Sequence, residues 1–168
     1  KYISYGGLFS IDPHQLQPLS LEDYLKRSIS YEEYVQRLDQ LLAEGKTTGP
    51  EQNENKLEYA RLNRQRIKRN EKQTVLLPEW ERAFGEMTTR EYWLVIGEGW
   101  CGDAAQIIPV MLTIARASNE HISLRLLWRD ENPELMDQYL TSGTRSIPKL
   151  IRISRPQLEV MGTWGPPP

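Results

Sequence analysis

One cysteine, Cys101, is all that the sequence contains, so no intrachain disulfide can form. No basic head joined to an apolar run stands near the N-terminus, and the cytoplasm is the expected compartment. The chain opens on Lys1 rather than methionine, which leaves an upstream start open. No run of apolar residues approaches bilayer length, so a soluble protein with no membrane partner is expected. The two histidines, His14 and His121, lie far apart without metal-ligand neighbours, so no metal site is expected. A net charge of −2 supplies no basic field, and no nucleic-acid partner is expected. Phosphate loops, dinucleotide fingerprints and nucleophilic-serine motifs are also missing, and with them any sign of a cofactor.

With 168 residues, 39% of them apolar, the chain can bury one ordinary core beside a smaller helical appendage. The opening 20 residues, with Gly6, Gly7, Pro13 and Pro18, read as an irregular arm. Ser30-Tyr31-Glu32-Glu33 has the spacing of a capping box, and Tyr34, Leu38, Leu41 and Leu42 follow at helical intervals up to Gly45. A second, more solvated helix spans 51–72, with Leu57, Ala60, Leu62 and Ile67 as its sparse apolar positions. So sparse a pair cannot bury its apolar faces alone and is expected to dock on the rest.

From Leu77 the texture changes to β-α-β alternation. Pro78 opens a short helix to about Met87, and Tyr92–Ile96 reads as a buried strand. A helix over 103–118, a strand over 122–128, a helix over 133–140 and strands at 150–153 and 158–161 follow. The class is α/β. The organisation is an N-terminal arm and helical extension over 1–74, then an α/β domain over 75–168.

Trp100-Cys101-Gly102-Asp103 falls between a buried strand and a helix. There a thiol meets free backbone amides and the positive end of a helix dipole, which favour thiolate, the nucleophile of disulfide exchange. A small buried core residue is the plainer reading of a lone cysteine. Asp103 suits the first turn of a helix as a carboxylate and, alternatively, could steer protons near Cys101, though its charge opposes a neighbouring thiolate. Glu98 reads as a solvated loop glutamate and, alternatively, as a proton carrier. The basic run Arg61, Arg64, Arg66, Lys68, Arg69 and Lys72 reads as a solvated helix face.

Trp100-Cys101-Gly102-Asp103-Ala104 resembles the Trp-Cys-Gly-Pro-Cys motif of the thioredoxin family, with the last two positions altered. Pro109 falls where that family has its helix-kinking proline, Asp130–Pro133 resembles its strand-to-helix turn, and Gly162 fits a glycine of its last strand. Arg145-Ser146-Ile147-Pro148-Lys149-Leu150 resembles its Arg-Gly-Ile-Pro-Thr-Leu segment. Glu98–Asp103, with helices ahead of the fold, is similar to a bacterial subgroup carrying Cys-Gly-Asp motifs.

The resemblance implies a thioredoxin-like fold, a central mixed sheet flanked by helices with an N-terminal helical extension. It puts Cys101 at the catalytic position and makes Trp100, Gly102, Asp103, Ile147 and Pro148 its support or substrate groove, with Ile147-Pro148 cis. Trp100 then either covers a bound peptide or packs on the domain. The family's final helix has no counterpart in the sequence, which points to a truncated chain or a disordered tail. Ala104 stands where the resolving cysteine belongs, Val95 where the family has a buried aspartate, and Leu126 where it has a lysine. An ordinary dithiol cycle is excluded. Two functions stay open: a monothiol thiol-disulfide oxidoreductase in redox homeostasis, partnered by a thiol- or disulfide-containing protein or a glutathione-like thiol, and a non-catalytic interaction module.

Overall fold

The computed structural model describes residues 18–167. The arm and His14 therefore lie largely outside the described residues. Helices α1 (Leu21–Arg27), α2 (Tyr31–Ala43), α3 (Glu54–Gln73) and α4 (Pro78–Gly85) precede β1 (Glu91–Gly97). Then come α5 (Gly102–Ala117), β2 (Ile122–Trp128), α6 (Pro133–Asp137), β3 (Lys149–Ser154) and β4 (Val160–Trp164). The sheet order is β2-β1-β3-β4. β1 runs parallel to β2 and antiparallel to β3, and β4 is antiparallel to β3. This is a mixed sheet flanked by helices, the thioredoxin-like α/β architecture.

Alternation along β1 divides the core. Trp93 and Val95 face a cluster built with Tyr31, Tyr34, Leu38, Ile67, Ile108 and Met111 from α2, α3 and α5. Leu94 and Ile96 face the other side, with Tyr24 of α1, Leu135 and Met136 of α6, and Ile151 and Ile153. The helices ahead of the sheet thus pack on it, Leu38 and Leu57 buried and Leu41 and Leu42 half-buried.

Several local expectations change. Ser30 does cap α2, accepting from the Glu33 amide at 3.1 Å. The reciprocal capping box forms one helix earlier, where Ser20 and Asp23 bond each other's backbone amides at the start of α1. The helix expected over 133–140 stops at Asp137. The last strand begins at Val160 rather than Leu158. Leu158 has a positive φ of 59°, and its amide closes a turn onto the Ser154 carbonyl, so it cannot extend the ladder.

Candidate functional site

β1 ends at Gly97, and four residues turn the chain into α5. Cys101 is the N-cap of that helix. Its Sγ accepts the Ala104 amide at 3.4 Å, satisfying one of the free N–H groups of the first turn. The same sulfur donates its S–H to the Ile147 carbonyl oxygen at 3.6 Å. Ile147 and Pro148 are buried, and the peptide bond between them is cis. Cys101 is half-buried and touches both core clusters. Gly102 opens α5, and Asp103 points to solvent.

Trp100 lies half-buried, with Lys56 Nζ 4.6 Å and the Arg129 guanidinium 4.9 Å from its ring centroid. Its ring is thus occupied by two cations, and its indole N–H is buried without a partner among the described residues.

Glu98 is not the solvated loop residue its polarity suggested. It is fully buried, accepting the Thr48 hydroxyl and the Asp130 amide, the latter at 2.9 Å. The reason is a strap between α2 and α3. Thr48 also accepts the Gly99 amide at 2.8 Å, so residues 47–49 lie across the turn and seal it from water. Two glycines permit that approach. A Cβ on Gly99 would meet Leu38 Cδ2 at 2.7 Å, and one on Gly49, whose φ is +86°, would meet Asp130 Oδ2 at 2.8 Å.

α3 runs along the motif. The Asn63 side-chain amide donates to the Gly99 carbonyl at 3.2 Å, and Asn70 donates to the Ala105 carbonyl at 3.0 Å. Arg66 bonds Asn63 and reaches within 3.3 Å of the place a Gly102 Cβ would take. The basic run is therefore only partly a solvated face. Asn63 is fully buried, and Arg64 and Arg66 are half-buried. Thr48, Asn63 and Arg129 escaped the sequence reading, and Arg66 entered it only as part of the basic run. A legible signal existed for Asn63, which falls in step with Leu57, Ala60 and Ile67 on the apolar stripe of α3.

Burial pushes the Cys101 thiol up. The Ala104 and Asp103 amides pull it down, the Asp103 charge adds to the rise, and Arg129 opposes it. Desolvation wins over the helix terminus, and the thiolate expected from position alone is disfavoured. Burial also raises the Glu98 carboxyl, against the hydrogen bonds from Thr48 and Asp130. Tyr34, stacked on Trp128, is raised by burial, with the nearby Cys101 and Glu98 charges adding to it.

A central mixed sheet, a helix capped by cysteine and a cis-proline loop facing that cysteine define a thioredoxin-fold protein. The family model described as Thioredoxin matches residues 49–168, well over half of the chain, and the chain belongs to that family. The match begins ahead of α3. Among solved structures, the chain resembles the 1.5 Å crystal structure of a protein of unknown function, PA1234, from Pseudomonas aeruginosa. The TM-score is 0.59 at 14% identity, over 88% of this chain and 77% of that one, a likeness of fold. An HIV epitope-scaffold aligns with a TM-score of 0.49 at 16% identity, over 82% of this chain and 77% of that one. No curated protein matches the sequence. Among the described residues no helix is long and apolar enough to cross a membrane.

Proposed function

We propose that this protein is a one-cysteine thioredoxin of the Trp-Cys-Gly-Asp subgroup, whose Cys101 forms mixed disulfides with protein or small thiols in cytoplasmic redox homeostasis. The observation that carries the reading is the position of Sγ, at the N-terminus of α5 and 3.6 Å from the Ile147 carbonyl beside Pro148. Cys101 loses its proton to solvent, and the thiolate attacks one sulfur of a partner disulfide. That S–S bond breaks as the Cys101–S–S–partner bond forms, and the displaced partner thiolate takes up a proton. Ala104 offers no second sulfur. Release therefore needs an external thiolate such as glutathione, which attacks the partner's sulfur and returns Cys101 as thiolate. The raised thiol makes the first attack slow at neutral pH.

That same burial favours a second reading, a non-catalytic interaction module. On that reading Trp100, Cys101 and Ile147-Pro148 form the contact surface and the N-terminal helices add docking area, with Tyr59 57% and Leu62 46% exposed on α3. A disulfide-reduction assay on an insulin-type substrate separates the two, run with and without glutathione on wild type and Cys101→Ser. Glutathione-dependent turnover lost in Cys101→Ser supports exchange. Equal traces from the two proteins would overturn it in favour of the module.

A further inference from the structure

At the other end of the sheet from Cys101, a groove of about 700 Å³ opens between α1, the starts of β1 and β2, and the β3–β4 turn. Four cationic side chains, Lys26, Arg90, Arg125 and Arg155, line it, against one carboxylate, Glu22, which pairs with Lys26 at 3.3 Å. None of the three arginines makes an ion pair among the described residues. Three unpaired guanidinium groups gathered in a concave site, on a chain whose net charge is −2, concentrate a positive potential that the overall composition hides.

Two of the guanidinium groups are held in place. Arg125 donates from Nε to the Ser28 hydroxyl at 2.9 Å and from Nη2 to the Ser28 carbonyl at 2.6 Å, contacts that fix its planar fork without neutralising it. Arg155 stacks over the Tyr92 ring at 4.5 Å. Leu25, Pro156 and Leu158 supply apolar wall. Positioned guanidinium groups, Arg125 through the N–H groups that Ser28 leaves free, suit the oxygens of a phosphate, and the aromatic and aliphatic walls match an apolar body attached to it.

We infer that this groove binds a small molecule in which a phosphate group is joined to an apolar body, at a site separate from Cys101. Arg90 precedes β1 and Cys101 follows it, so the two sites lie roughly 20 Å apart along the strand. Occupancy of one does not require the other.

The test is calorimetric titration of the full chain at pH 8 with phenyl phosphate, inorganic phosphate and acetate. Phenyl phosphate is expected to bind saturably and at least tenfold tighter than inorganic phosphate, with acetate weaker than both. Arg90→Gln/Arg155→Gln should weaken phenyl phosphate at least tenfold. Lys26→Glu, on the exposed face of α1, should weaken it severalfold and guards against misfolding of the double variant. Cys101→Ser should bind as wild type does. Absence of saturable phenyl phosphate binding below about 1 mM, acetate binding as tightly as phosphate, or unchanged affinity in both groove variants would each overturn the inference.

Discussion

The Asn63 side-chain amide donates to the Gly99 carbonyl at 3.2 Å, and through it a helix ahead of the sheet holds the turn that presents Cys101. Asn63 is fully buried, so Asn63→Ala leaves both the Gly99 carbonyl and Arg66 without that partner. A buried group left unpaired costs about 1–3 kcal/mol. For a chain of this size the melting temperature should fall by roughly 3–10 °C, with faster alkylation of Cys101 as the turn loosens. Scanning calorimetry and iodoacetamide kinetics read the two effects.

Cys101 should alkylate with a pH midpoint above that of a free cysteine peptide, because burial raises its thiol. Asp103→Asn should lower the midpoint by removing an opposing charge, and Arg129→Gln should raise it. The sign carries into stability. Above about pH 8.5 an unfolded chain gives up the thiol proton while the folded chain keeps it. Wild type should therefore lose stability relative to Cys101→Ser as pH climbs beyond that point, measured by urea unfolding across the range.

Ala104→Cys should permit an internal disulfide with Cys101. Residues three apart in a helix have Cα atoms about 5 Å apart, inside the range a disulfide spans. The oxidised variant should show no free thiol by titration and two after reduction. Two free thiols under oxidising conditions would mean that the first turn of α5 cannot bring the sulfurs together.

Glu91, 1% exposed, accepts Arg152 through both carboxylate oxygens, at 2.6 and 2.9 Å, and the Trp93 indole N–H at 3.0 Å. Those bonds hold its carboxyl below the usual value, Arg152 contributing most. Glu91→Gln should cost about 2 kcal/mol at pH 7, a figure discounted because the Arg152 side chain is 40% exposed. The carboxylate's contribution is present above the unfolded value, about pH 4.3, and disappears as pH falls through the folded value. Denaturant midpoints of wild type and variant should therefore converge as pH is lowered below about 4.3.

Local patterns made much of this architecture legible. The buried run Tyr92–Ile96, the proline-opened α4 and the alternation after it announced an α/β domain because each rests on neighbours in sequence. That Cys101 faces the Ile147-Pro148 loop, 46 residues on, was expected only because the segments around both resemble the thioredoxin family's motifs. Other contacts across the chain were hidden. Thr47-Thr48-Gly49-Pro50 reads as a break between helices, and nothing in those four residues says that the break covers the turn after β1. Glu98 was misjudged on polarity alone, since the hydroxyl that accompanies it into the interior comes from fifty residues away. The height of the thiol was also out of reach, because it depends on how much protein surrounds the sulfur rather than on which helix end carries it.

The strap, α3 and the Ile147 loop meet the motif from 36 to 51 residues away in the chain. Closing loops of that length precedes any reward from the contacts they make, so such pairings form late in folding. On a nascent chain the sulfur remains uncovered until the Ile147 loop, 46 residues further on, has been made and brought to it. During synthesis this thiol is therefore at its most reactive before the fold exists, and closure of the fold is what quiets it.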